Sequence, residues 1–161
     1  MSALSIMKET QIFQYLTDGQ LKQLEPLAVE EKHKAGTILY KEGDTAGKCY
    51  IVVEGKVVLE MQIDMGPSAP PLQVAVDFIT GGEEMSWSAF VEPHIFTVSA
   101  LCMDDTKLLT FESKKLRELI NQDAVLGFNV MRGAAKLVAR RLSHTRNILA
   151  GERGLRFLPQ Y

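Results

Sequence analysis

Ala35-Gly36-Thr37-Ile38-Leu39-Tyr40-Lys41-Glu42-Gly43-Asp44, followed by Ala46 and then Tyr50-Ile51-Val52-Val53-Glu54-Gly55-Lys56-Val57, is the stretch from which the fold can be read. Thr37–Tyr40 is β-prone, Lys41–Asp44 is a turn, and Cys49–Val53 is a continuous apolar run of the kind that forms a buried strand. Gly36, Gly43 and Gly55 stand at the junctions between these runs. A junction glycine allows positive φ or a close backbone approach that a Cβ forbids. One such glycine says little, but three at this spacing, with an apolar strand between the last two, mark a compact β structure with tight junctions.

Outward from this stretch the period of two continues. Val57, Leu59, Met61 and Ile63 alternate with Val58, Glu60 and Gln62, and Asp64–Gln73, with Gly66, Pro67, Pro70 and Pro71, reads as an exposed loop. Val74–Ile79, Phe96–Cys102 and Lys107–Phe111 are further strands, so turn signals recur about every 8–12 residues and about eight strands are expected. Ahead of them a helix is expected over Ser5–Tyr15. A second one is marked by the capping box of Thr17 and Gln20 and by Leu21, Leu24 and Leu27. Behind the strands, Ser113 reads as the N-cap of a helix carrying Leu116, Leu119 and Ile120. A longer helix follows from about Asp123 to Leu149, its apolar stripe formed by Val130, Ala134, Leu137, Val138, Leu142 and Leu149. The order predicts an α+β fold, with the strands in a barrel or sandwich flanked by N-terminal helices and a long C-terminal helix. Residues 1–161 form a single domain, with the roll at about 30–111 and the C-terminal helices at about 113–149.

The composition is that of a globular protein: 161 residues, 46% hydrophobic and 24% charged, with a net charge of −2. That charge gives no whole-chain attraction to nucleic acid or anionic lipid. Basic residues do gather late, at Arg132, Lys136, Arg140, Arg141, Arg146, Arg153 and Arg156 against Glu152, where a solvated helix face is expected. No apolar run reaches about 18 residues and the N-terminus has no secretory pattern, so a cytoplasmic protein without a membrane span is expected. Cys49 and Cys102 lie far apart in apolar stretches and read as reduced core residues.

The glycine framework and the strand Tyr50–Val57 closely resemble the first half of cyclic-nucleotide-binding domains of the catabolite activator kind, and the resemblance runs from about Ile12 to Ile148. It implies a double-stranded, jelly-roll-like β-roll and a stand-alone, non-catalytic regulatory or sensor domain that signals through a dimer or a partner protein. In that family a cyclic phosphate sits on a short loop with the approximate pattern Phe-Gly-Glu-apolar-Ala-apolar, then Pro-Arg-x-Ala-Thr-x-x-Ala. Backbone N–H groups cradle the anion, an arginine supplies a bidentate fork and a glutamate takes the ribose hydroxyl. Here Pro93, Thr97, Val98 and Ala100 fall on the pattern. His94 then stands at the arginine position and Met85-Ser86-Trp87 where Phe-Gly-Glu belongs, in a cassette about two residues short. Glu83 or Glu84 reaches the glutamate's place only by a register shift. The candidate ligand-binding residues are therefore Gly82, Glu83, Glu84, Ser86, Trp87, Ser88, Ala89, His94 and Thr97. Loss of a charged hydrogen-bond pair costs a few kcal/mol, so weakened binding of cyclic AMP or cyclic GMP is expected. Two readings stay open. Either the pocket is remade for another small, nucleotide-like or anionic ligand, with Trp87 as stacking platform and His94 as polar anchor, or it is collapsed and the domain is a protein-interaction scaffold.

The resemblance also gives the long helix a role as lid and dimer contact, through Leu137, Arg141, Leu142, His144 and Thr145. A homodimer through this helix is expected, with Arg141, His144 and Thr145 facing the other subunit's ligand mouth. Only Ala150–Tyr161 follow the helix, too few for a helix-turn-helix, so no direct DNA binding is expected. His33, His94 and His144 have no partner His or Cys at metal-ligand spacing, which predicts no metal site. The His-x-His cluster of a cupin enzyme, a nucleophile elbow and a Gly-rich nucleotide loop are all missing from the sequence. Neither a cofactor nor catalysis is expected.

Overall fold

A computed structural model describes residues 2–157 and the side chains up to residue 151. Eight strands form two four-stranded antiparallel sheets. In chain order they are β1 (Ala28–His33), β2 (Ile38–Tyr40), β3 (Lys48–Glu54), β4 (Lys56–Ile63), β5 (Leu72–Thr80), β6 (Glu84–Met85), β7 (Ser99–Cys102) and β8 (Thr106–Glu112). One sheet has the order β1-β8-β3-β6 and the other β2-β7-β4-β5. The helices are α1 (Ala3–Glu9), α2 (Asp18–Leu24), α3 (Ser113–Gln122) and α4 (Ala124–Phe157). The expected α+β roll is the observed architecture.

The apolar run of β3 has a simple cause. Tyr50 and Val52 point into the roll against Val57, Leu59, Ile79, Ala100 and Leu108. Cys49 and Ile51 point the other way, into a second core built with Ile12, Phe13, Leu21, Leu24, Leu116, Leu126, Val130 and Leu137 of the helical layer. A strand covered on both faces has no polar face to show. Both cysteines are free and buried.

All three junction glycines hold positive φ, at 82°, 87° and 94° for Gly36, Gly43 and Gly55. Gly55 also lacks room: a Cβ there would lie 2.8 Å from Asp104 Oδ1, the Asp105 carbonyl and Thr106 Oγ1. The capping box is present, with Gln20 N–H donating to Thr17 Oγ1 at 3.2 Å and Thr17 N–H donating to Gln20 Oε1 at 3.0 Å.

Several sequence expectations are corrected. The first helix ends at Glu9, and Ile12 and Phe13 enter the core from an irregular segment instead. Ser113 is the first residue of α3 and its buried Oγ is unpartnered, while Glu112 is the N-cap. Strand β7 begins only at Ser99, because Phe96–Val98 belong to the irregular loop before it. Met61 and Ile63 are exposed although their alternation matches Val57 and Leu59. The reason is topological: β7 pairs with β4 only from Val57 to Glu60, so the β4–β5 hairpin projects beyond the roll.

Candidate functional site

The loop between β6 and β7 carries the cassette, and its geometry follows from Ser86. This residue holds φ at 77°, the left-handed conformation expected where the family pattern has glycine. From there Trp87–Ala89 form a single 3-10 turn. The turn aims Ala89 and Phe90 into the helical core and leaves Ser86, Trp87 and Ser88 around a small cavity. Its other walls are Tyr40, Leu59, Phe96, Thr97, Val98 and, from α4, Arg141. The cavity measures about 20 Å³, which holds one water-sized particle. Tyr40 stacks on Phe96 with ring centroids 3.7 Å apart and closes its inner end.

Four of the nine candidate residues, Ser86, Trp87, Ser88 and Thr97, line this cavity. The others have separate tasks. Gly82 makes the β5–β6 turn, its N–H donating to the Val52 carbonyl at 2.8 Å. Glu83 Oε2 accepts from the N–H and hydroxyl of Thr80 at 3.0 and 3.1 Å, and Oε1 faces Arg140 at 3.4 Å. Glu84 is buried on the opposite side of β6, where Oε1 accepts from the Ile12 N–H at 3.0 Å. Burial pushes its carboxyl up, only partly offset by backbone hydrogen bonds and the nearby Arg140. Ala89 is core. His94 donates through Nδ1 to the Ser88 carbonyl at 3.3 Å and so ties the two ends of the loop together, outside the cavity.

The lid residues divide as well. Leu137 is fully buried in its own subunit's core. Arg141 turns into its own subunit: Nη1 donates to Asp77 Oδ2 at 3.1 Å and Nη2 to the Glu84 carbonyl at 2.8 Å. Burial pushes the nearby Tyr40 phenol up, although the Ser86 hydroxyl and the Arg141 charge pull it down. Ser86 Oγ nevertheless completes no hydrogen bond of proper distance and angle. Outside Arg141 lies an open groove of about 390 Å³, lined also by Asp77, Phe78, Glu83, Arg140 and His144. Arg141 thus stands between the groove and the inner cavity.

The basic segment is largely accounted for within the chain. Arg132 lies 4.0 Å from the centroid of Tyr15, and Lys136 donates to Gln14 Oε1 at 2.9 Å. With Arg140 and Arg141 they fasten α4 to the rest of the domain. Side chains of Glu152, Arg153 and Arg156 lie outside the described residues. The opposite face of α4 stays open: Phe128, Met131, Val138, Leu142 and Leu149 are exposed at alternating heptad spacing. Leu142 and Leu149 of the apolar stripe lie beyond the end of the roll and are exposed.

The Arg141 contact was hidden from the sequence, because Arg141, Asp77 and Glu84 meet only through packing of α4 on β5 and β6. Among the described residues no cluster suited to a metal ion is present, and no helix is long and apolar enough to cross a membrane.

A roll of two four-stranded sheets, a short loop after β6 and a closing C-terminal helix define a cyclic-nucleotide-binding type of domain. A family model described as cyclic nucleotide-binding domain matches residues 30–123, and the chain belongs to that family. No curated protein sequence matches it significantly. Among solved structures, one described as a cyclic nucleotide-binding protein from Geobacter metallireducens is 24% identical, with a TM-score of 0.74 over 88% of this chain and 99% of that one. The N-terminal domain of a transcriptional regulator from Streptomyces coelicolor is 24% identical, with a TM-score of 0.66 over 89% and 94%. The regulatory domain of a Toxoplasma gondii PKA, solved with cAMP, is 18% identical, with a TM-score of 0.64 over 88% and 48%.

Proposed function

We propose that this domain is a non-catalytic, ligand-responsive regulatory module whose signal is the seating of α4. The observation that carries this reading is the clamp of Arg140 and Arg141 onto Glu83, Asp77 and the Glu84 carbonyl. A ligand arriving at the cassette must meet or displace these contacts, so occupancy and lid position are linked. Trp87, Ser86, Ser88 and Thr97 offer the ligand an aromatic face and three hydroxyls. The exposed heptad face of α4 supports a two-fold homodimer, in which lid movement reaches a second subunit or a partner protein.

Thermal unfolding with cyclic AMP, cyclic GMP, non-cyclic nucleotides and small anions tests the reading, since a ligand that binds only the folded state raises its stability with concentration. A saturable rise that is lost in Trp87→Ala supports it. No response to any of them refutes it in favour of a second reading, a scaffold without a small ligand. The small closed cavity, about 20 Å³, favours that alternative.

A further inference from the structure

Strand β6 buries a carboxyl group where the rest of its sheet row is apolar. Glu84 is the register partner of Ile51, and Ile51 of Leu109, so the three share the sheet face that supports the helical core. Glu84 is 1% exposed there. The irregular segment between α1 and α2 brings it the N–H of Ile12, which donates to Oε1 at 3.0 Å, and the N–H of Gln11. Helix α4 brings Arg140, whose guanidinium is held by Glu83 at 3.4 Å, and Arg141, which donates to the Glu84 carbonyl. From β3 comes the buried thiol of Cys49, pushed up to about 12 by burial and by the charge of Glu84, so it stays neutral. The segment is pinned from its other side as well, since a Cβ at Gly133 of α4 would not fit against the carbonyls of Gln11 and Ile12. Gln11 also buries its side-chain Oε1 without a partner.

We propose that Glu84 is a proton-controlled latch: neutral, it holds the segment Gln11–Tyr15 between β6 and α4, and ionised, it drives that segment away from α4. A buried carboxylate needs water or a close cation. Arg140 is already engaged by Glu83, and water reaches a side chain so enclosed only when the segment or α4 moves. Burial therefore favours the neutral form, an effect that the N–H groups and Arg140 offset only in part. Opening of the segment hydrates the carboxylate and lets Gln11 Oε1 meet water, so one movement relieves both burials. The same segment is gripped by α4 through Arg132 on Tyr15 and Lys136 on Gln14, so its departure loosens the seat of the helix. The latch adds a second input to the reading above, in which the seating of α4 is the signal, and it operates with no ligand in the cassette.

Hydrogen–deuterium exchange of the ligand-free whole chain between pH 5 and pH 8, corrected for the intrinsic pH dependence of amide exchange, tests this in wild type and Glu84→Gln. In wild type the protection of Gln11–Tyr15 is expected to fall by about tenfold or more as pH rises. The amides of β3 and β8 are expected to stay better protected than the segment at every pH, as a local opening requires. In Glu84→Gln the protection of the segment is expected to be independent of pH. A carbon-13 NMR titration of the Glu84 carboxyl in wild type keeps the test independent of how the variant folds. Its midpoint is expected above the ordinary carboxyl value of 4.5 and together with a shift of the Ile12 amide. Constant protection in wild type, the same fall in Glu84→Gln, equal exchange of segment and strands at pH 8, or a carboxyl that titrates without the Ile12 amide overturns the inference. No ligand enters this experiment, so such a result leaves the ligand-responsive reading standing, and a failure of that reading leaves the latch.

Discussion

Replacing Gly133 by alanine tests how α4 is seated. Alanine in a helix interior normally stabilises by about 1 kcal/mol over glycine, so a naive expectation is a gain. Here the added Cβ would lie 2.1 Å from the Ile12 carbonyl oxygen and 2.6 Å from that of Gln11, both of them backbone atoms. The helix must retreat by roughly 1 Å to restore ordinary contact distances. Retreat strains the packing of Val130, Ala134 and Leu137, at about 1–3 kcal/mol for an overpacked core. It also pulls on Ile12, whose N–H donates to the buried Glu84 carboxylate at 3.0 Å, a bond whose loss costs about 1–3 kcal/mol. After the propensity gain, a net loss of about 3 kcal/mol remains, which lowers the melting temperature by about 6–12 °C in a domain of this size. The measurement is thermal unfolding by circular dichroism. Gly151→Ala is the matched control, because nothing lies within 4 Å of a Cβ at that position, and it is expected to stabilise by up to about 1 kcal/mol. A Gly133→Ala protein as stable as wild type would refute the backbone-to-backbone seating of α4.

The remaining predictions concern charge, capping and assembly. The carboxyl of Glu84 is pushed up by burial, so the native state holds its proton where the unfolded chain has lost it, and stability falls as pH rises from about 4.5 through the raised value. Glu84→Gln keeps an acceptor for Ile12 without the charge; urea unfolding should show an advantage over wild type at pH 7.5 that shrinks at pH 5, and a variant relatively weaker at pH 7.5 contradicts this. Thr17→Ala removes the cap of α2 and should cost about 1 kcal/mol, read as a fall of about 2–4 °C in melting temperature; an unchanged value means α2 is held by packing alone. Leu142→Asp alters a residue 49% exposed on the heptad face of α4. In sedimentation, wild type should run as a dimer and this variant as a monomer with an unchanged melting profile extrapolated to low concentration. A monomeric wild type at micromolar concentration removes the two-fold contact.

Much of the roll is legible in the sequence because the causes are local. Gly36, Gly43 and Gly55 report backbone conformations that depend on the residue itself, and the Thr17–Gln20 box spans a single helical turn. Strands β1 and β6 were harder. Ala28–His33 is an edge strand in which half-buried Glu31 and His33 are as polar as exposed Glu30 and Lys32, so residue type shows no alternation, and Glu84–Met85 is too short to show a period. Ser113 looked like a cap because its type favours one, yet Glu112, the last residue of β8, holds that place.

Residue type and spacing suffice for the family resemblance and for the departure of the cassette from its pattern at Trp87 and His94. They could not say what those departures do, since His94 ties the loop to Ser88 and Trp87 divides between core and cavity only once the 3-10 turn is formed. The direction of Arg141 belongs wholly to the tertiary structure. Helical spacing allows a residue at that position to face a second chain, or to turn inward, with equal ease. Close backbone packing at Gly133 seats α4 against Gln11 and Ile12, and in that seating the Arg141 guanidinium meets Asp77 and the Glu84 carbonyl in charge-assisted hydrogen bonds.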